Sequence, residues 1–402
     1  MKIKKIISAI VISVFIINGA TGQQVDIDNY SFVNKNADTV VAFGQSQNQL
    51  KDFANKFSSM IKFGNRQIKI LHIGDFHLQS DVQTGRIRTD FQSFMPGLEA
   101  SRGMIPPYTK NVPDSYKINF SSAWKSFDIT STGFENNSGL WGTTAYTTAK
   151  ENSITVSVNN KNAVKYDFNT VKIYHSPLNE GDNIILYDIP VAYQKIYNKE
   201  YGYTEFILAD YVQEIKIEID KTSTDIFYLY GFYFDNSNPG VVYNATSAEN
   251  ATCKSYLNAG KFFLQMESVD FDMIVISLAA NDMKENATET EFEQNLIQLI
   301  EKIRQVNNNV PIVLTSPIES YTNRKTVNPH QQAAVDMVYN AAKRMGCAYI
   351  NMYEVLGGKG SCVKMLNSGL ILQDRVHLTA KGYKLQGDLL FNALWNMTEK
   401  NL

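Results

Sequence analysis

The chain changes texture twice, and those two changes limit its architecture more than any single motif. Between residues 47 and 63 the apolar residues Leu50, Phe53, Phe57, Met60 and Ile61 recur at helical spacing. A short apolar run, Ile68 to Ile73, follows and ends in Gly74-Asp75, as a buried strand does. Val82 to Met95 resumes helical character. After Pro96-Gly97, from about 105 to 239, the chain turns rich in Tyr, Thr, Ser, Asn and β-branched residues. Ile154, Val156 and Val158 alternate with polar residues, as do Ile215, Ile217 and Ile219. Ile184 to Tyr187 and Ile226 to Phe234 are further strand candidates, the latter closed by Asn238-Pro239-Gly240. Short strands with turn residues between them suggest a β-sandwich or jelly roll.

After Gly240 the helix–strand alternation returns. Met273 to Leu278, Pro311 to Thr315 and Ala348 to Met352 read as strands. Phe292, Leu296, Leu299, Ile300 and Ile303 make one helix face; Gln331 to Met345 and Thr379 to Trp395 are further helices. Such alternation implies a parallel sheet. The expected fold class is therefore α/β, with a three-layer domain over 23–104 and 240–402 interrupted by a β-sandwich over 105–239. We find no internal repeat and no low-complexity tract.

Lys2, Lys4 and Lys5, the apolar run Ile6 to Ile17 and the small residues Gly19, Ala20 and Gly22 read as a secretory signal peptide over 1–22. Cleavage is expected after Gly22, with Ala20 as the alternative. The expected location is periplasmic or extracellular. Without that segment the chain carries 35 basic and 40 acidic groups, net −5. This excludes a nucleic-acid binder that works by phosphate neutralisation. No later segment has the ~18 apolar residues of a membrane span. Export permits a disulfide, and Cys347 and Cys362 could pair, leaving Cys253 alone; three reduced, buried thiols are the alternative. The five histidines are scattered without zinc spacing, so neither metal nor cofactor is expected.

Ligands of an open parallel sheet bind beyond the carboxyl ends of its strands. Three polar clusters fall there: Gly74-Asp75-Phe76-His77, Ala279-Ala280-Asn281-Asp282, and Asp374 to His377. Asp374 can take the ring N–H of His377 and leave its other nitrogen as a general base. Asn281 can offer an amide N–H to a developing oxyanion, or cap the next helix as a turn residue.

In these clusters the chain resembles the SGNH (GDSL-type) hydrolases, whose blocks are Gly-Asp-Ser, an oxyanion glycine, Gly-x-Asn-Asp and Asp-x-x-His. It is most similar to secreted bacterial members that act on O-acetylated polysaccharides, which share a Gly-Asp-Ser-His-x-Gln block and an inserted carbohydrate-module-like sandwich. The resemblance implies that Asp374 and His377 are acid and base and Asn281 the oxyanion asparagine. Asn250 aligns with the oxyanion glycine and Ala279 with the glycine of the third block. Asp75, His77 and Gln79 fall on the cleft, with a structural role as the alternative for His77 and Gln79. The nucleophile position holds Phe76, which has no nucleophilic atom. Ser80 is the nearest hydroxyl. Trp124, Trp141, Tyr228, Tyr230 and Tyr233 either stack on sugars or form sandwich core. The Asn-x-Ser/Thr triplets at Asn119, Asn136, Asn244 and Asn286 read as chance. The expected function is a degenerate O-acetylesterase that binds O-acetylated polysaccharide or peptidoglycan, beside an active paralogue or a membrane O-acetyltransferase. The alternative is an active hydrolase that uses a His377-activated water or another nucleophile.

Overall fold

The strand Gln67–Gly74 buries both its faces, which fixes it in the middle of a sheet covered on two sides. Ile68 and Ile70 enter one apolar core, Leu71 and Ile73 the other. In the computed structural model, which describes residues 26–108, 113–121, 124–158, 164–284 and 288–399, this strand belongs to a six-stranded sheet. The order is Val41–Ala42, Ala348–Ile350, Ile312–Thr315, Met273–Ser277, Gln67–Gly74, Gly240–Thr246. All neighbours are parallel except the edge strand Val41–Ala42. The five parallel strands, counted along the chain, thus lie in the order 2-1-3-4-5. The order reverses between Gln67–Gly74 and Met273–Ser277, and a crevice opens at such a switch point. The expected signal peptide and the Asn286 triplet lie outside the described residues.

Helices cover both faces. Ser46–Phe63 buries Leu50, Phe53, Phe57 and Met60 and stops at Gly64, whose left-handed backbone (φ 57°) returns its N–H to Met60 O. It shares a core with Val82–Ser93 and Ala380–Glu399. On the opposite face Glu289–Val306 buries Phe292, Leu296, Leu299, Ile300 and Ile303 beside Gln331–Met345. Cys347 sits in this second core and Cys362 in the first, so the sheet separates them; all three cysteines are free and buried. Among the described residues no helix is long and apolar enough to cross a membrane.

Between Gln67–Gly74 and Gly240–Thr246 the chain builds two antiparallel sheets, of seven and four strands. They close on one core that includes Ile154, Val156 and Ile217 from the smaller sheet and Val171, Ile173, Phe206, Phe232 and Phe234 from the larger. The larger sheet also faces the α/β domain. Trp141, Tyr174, Tyr230 and Tyr233 share a core with Met266 and Phe271, and Tyr174 Oη lies 2.7 Å from Ser268 Oγ. Gly231 makes this seam possible. A Cβ there would stand 2.4 Å from the Trp141 ring, whose indole N–H donates to Phe232 O at 3.0 Å. Trp141, Tyr230 and Tyr233 are therefore core residues; Trp124 and Tyr228 are half-buried. Asn244 ties the two parts together. It is fully buried, donates to Ile70 O and Val242 O, and accepts the Met104 N–H, which explains its triplet without glycosylation.

Candidate active site

The switch point presents the ends of two strands side by side, with Ser277 paired to Gly74. Beyond Gly74 the buried Asp75 caps the short helix Phe76–Gln79, its Oδ1 accepting the His77 N–H at 3.0 Å. Burial pushes the Asp75 carboxyl up to about 7, against the pull of that N–H donor, and the nearby Asp282 adds to the rise. Burial likewise raises Asp282 to about 6, although it accepts the Cys253 N–H at 3.0 Å.

The second half of the site is a tight loop before the last helix. Leu372 N–H donates to His377 O, and Thr379 N–H to Leu370 O. Arg375, at the loop's tip, has φ 59°; its carbonyl takes the Tyr321 N–H and its guanidinium lies 4.7 Å from the Tyr321 ring. Asp374 Oδ1 accepts the N–H groups of Val376 and His377, each at 2.9 Å, and its Oδ2 lies 2.9 Å from His377 Nδ1. Partial burial acts upward on Asp374, but these donors hold it below the usual carboxylate value. An ionised Asp374 places the imidazole proton on Nδ1. His377 Nε2 then keeps its lone pair and has no hydrogen-bond partner among the described residues. The His377 side chain is about half exposed.

Phe76 stands where these two halves meet. Its ring centroid is 4.7 Å from that of His377 and 4.1 Å from that of His77. His77 in turn meets Tyr383 Oη through Nδ1 at 3.2 Å, and burial lowers its pKa to about 3, so it is neutral. A cleft of about 300 Å³ opens beside them, lined by Asp75, Phe76, His77, Ser277, Ala279 and Val376 among others, but not by His377. The phenyl ring is the group that His377 faces, and the cleft lies along that ring. With oxygen in place of the ring the arrangement would hold a nucleophile–base–acid line; with phenylalanine it holds only base and acid.

The remaining candidates are dispersed. Asn281 is buried, and its amide donates to Glu249 O at 3.1 Å and Ala251 O at 3.0 Å. Both amide hydrogens are thus spent on the 249–251 loop, so Asn281 offers none to a developing oxyanion. Asn250 lies exposed on that loop, 3.5 Å from Lys284 Nζ through its Oδ1. Ala279 takes φ 119°, a conformation suited to glycine, and is fully buried. Gln79 does not line the cleft; it lines a second cavity. Ser80 Oγ is buried and has no hydrogen-bond partner among the described residues, so none of them activates it as a base. Among the described residues no group of three His, Cys, Asp or Glu could hold a metal ion.

One polar chain escapes a reading of the sequence. His72, fully buried, meets Ser277 Oγ through Nε2 at 2.6 Å and Tyr243 Oη through Nδ1 at 2.9 Å; Ser277 Oγ also meets Thr315 Oγ1 at 2.7 Å. Ser277 and Thr315 reach the cleft. Burial lowers His72 to about 3, which makes it a poor proton acceptor. The four residues tie four neighbouring strands and do not form a second nucleophile. No motif marks them, because each comes from a different strand.

A search of curated protein sequences found no match. The chain is similar in structure to a peptidoglycan O-acetylesterase, with a TM-score of 0.71 at 18% identity over 90% of this chain and 99% of that one. That length takes in the antiparallel sheets as well as the parallel one. A lipase/acylhydrolase from Enterococcus faecalis matches 38% of the chain and 75% of its own (TM-score 0.31, 20% identity). A GDSL-like lipase from Bacteroides thetaiotaomicron matches 38% and 76% (TM-score 0.30, 19% identity). Residues 232–385, which contain Asn281, Asp374 and His377 but not Phe76, match the model of the GDSL-like Lipase/Acylhydrolase family.

Proposed function

We propose that this is an exported SGNH-type protein that binds O-acetylated glycan through an ester-hydrolase site that has lost its nucleophile. The observation that carries the reading is the Phe76 ring, 4.7 Å from the His377 ring and without an oxygen to give it. An acyl-enzyme needs a side-chain nucleophile at that place. The spent amide of Asn281 points the same way, since a tetrahedral intermediate would lack that donor. The peptidoglycan O-acetylesterase that shares the fold suggests peptidoglycan or a related O-acetylated polysaccharide as the ligand. On this reading the protein works beside an active paralogue or a membrane O-acetyltransferase, holding acetylated strands instead of cleaving them.

One observation favours a second reading. The Asp374–His377 pair is intact and half exposed, so His377 Nε2 can activate water directly. Acetyl-ester hydrolysis by the purified protein decides between them. The binding reading expects turnover at the level of a His377→Ala control. Robust turnover that disappears in His377→Ala would overturn it in favour of water activation.

A further inference from the structure

The seam between the α/β domain and the antiparallel sheets holds a second cavity, of about 240 Å³. Leu78 lines both this cavity and the cleft. Its walls come from both parts of the fold: Gln79 and Ser247 on one side, Phe127, Asp128 and Trp141 on the other, with Arg102 between.

Arg102 is the unusual member. It is 3% exposed. Its guanidinium donates to Ser115 Oγ at 2.8 Å, Met104 O at 2.9 Å and Asp81 Oδ2 at 3.1 Å. Five N–H groups are available to an arginine, so two have no acceptor among the described residues. Nor does Asp81 belong to Arg102 alone. Arg88, fully buried, takes the same carboxylate through two N–H groups, at 3.1 and 3.2 Å. Two buried guanidinium groups therefore share one carboxylate, and buried donors left without acceptors are costly. Across the cavity Asp128 spends Oδ1 on Thr130 and Ser131, and its Oδ2 has no partner among the described residues. The Gln79 amide makes no side-chain hydrogen bond among the described residues and supplies both a donor and an acceptor. The indole of Trp141 and the ring of Phe127 give apolar wall.

We propose that this cavity is a sugar subsite: it takes one hexose unit whose acyl carbonyl or carboxylate oxygen accepts the two open N–H groups of Arg102. Sugar hydroxyls, which donate and accept, meet Asp128 and Gln79, while the nearly buried Phe127 and Trp141 only close the floor of the cavity. A planar fork of donors suits a carbonyl or carboxylate oxygen better than a hydroxyl. The subsite rests on the glycan-binding reading above and deepens it, placing a second sugar unit beside the one in the cleft.

The test is calorimetric titration of the purified protein with three disaccharides. N,N′-diacetylchitobiose offers acyl carbonyls, cellobiuronic acid a carboxylate, and cellobiose neither. Either of the first two is expected to bind at least tenfold more tightly than cellobiose, and which one does identifies the oxygen. Ser126→Trp, at an exposed strand position on the cavity wall, is expected to weaken that binding at least tenfold while the melting temperature stays unchanged. Arg102→Lys, which keeps charge and removes the fork, is expected to erase the preference over cellobiose. Binding that survives Ser126→Trp but is lost in Ala280→Trp, on the wall of the cleft, overturns the subsite and leaves glycan binding standing. No binding of any of the three, or of acetylated peptidoglycan, overturns both.

Discussion

Replacing Phe76 by serine tests the site most directly, and its size can be worked out beforehand. The change puts a hydroxyl where the ring now meets His377 at 4.7 Å between centroids. The base and its carboxylate partner are already aligned at 2.9 Å. In serine hydrolases removing the triad nucleophile costs about 10⁶ in kcat, so restoring it could return that much in an otherwise complete site. This site is not complete. Both amide hydrogens of Asn281 go to backbone carbonyls, and a missing oxyanion donor costs about 10² to 10³. Phe76→Ser is therefore expected to raise acetyl-ester turnover by about 10³ to 10⁴ over the wild type, the quotient of those two factors. Loss of two ring contacts should cost about 1–3 kcal/mol of stability. The assay is release of acetate from acetylated xylan or 4-nitrophenyl acetate, with thermal unfolding run in parallel. His377→Ala added to Phe76→Ser should remove the gain. A folded Phe76→Ser protein with no gain would refute the claim that the dyad is poised. A gain near 10⁶ would refute the claim that Asn281 is locked away.

Three further outcomes follow from the geometry. Asp75→Asn should match the wild type in urea unfolding near pH 4 and be more stable than it near pH 8. The wild-type carboxyl is raised from 3.8 to about 7 by burial, so the stability it contributes is present below pH 4 and lost as pH rises through 7; at about 1.4 kcal/mol per unit the difference reaches about 4 kcal/mol, and a pH-independent difference would contradict it. Ala279→Gly should stabilise the protein by about 1 kcal/mol, because it relieves a backbone at φ 119°; a lower melting temperature would show that Ala279 is unstrained. Gly231→Ala should destabilise by more than about 3 kcal/mol, since its Cβ would stand 2.4 Å from the Trp141 ring; near-wild-type stability would mean that the seam between the two parts is loosely packed.

Much of this protein is written in local pattern. The helix faces at Leu50, Phe53, Phe57 and Met60 and at Phe292 to Ile303 are buried as their spacing demands, because amphipathic periodicity is a property of the segment alone. The same holds for the Ile154–Val158 and Ile215–Ile219 alternations, whose residues fill the core between the two antiparallel sheets. The absence of an oxygen at position 76 is likewise a fact of the sequence, and so is the Asp374–His377 pair, whose three-residue spacing fits one tight loop. What only the tertiary structure decided is where side chains from distant segments point and which partners they find there. It turned Gln79 to the seam and not to the cleft, spent the Asn281 amide on a loop thirty residues earlier, and buried Trp141, Tyr230 and Tyr233 at the junction of the two parts. It placed Cys347 and Cys362 on opposite sides of the sheet and joined His72, Tyr243, Ser277 and Thr315 across four strands. Each of these outcomes depends on strand order and on the angle at which one layer meets the next, and no short window of residues encodes either.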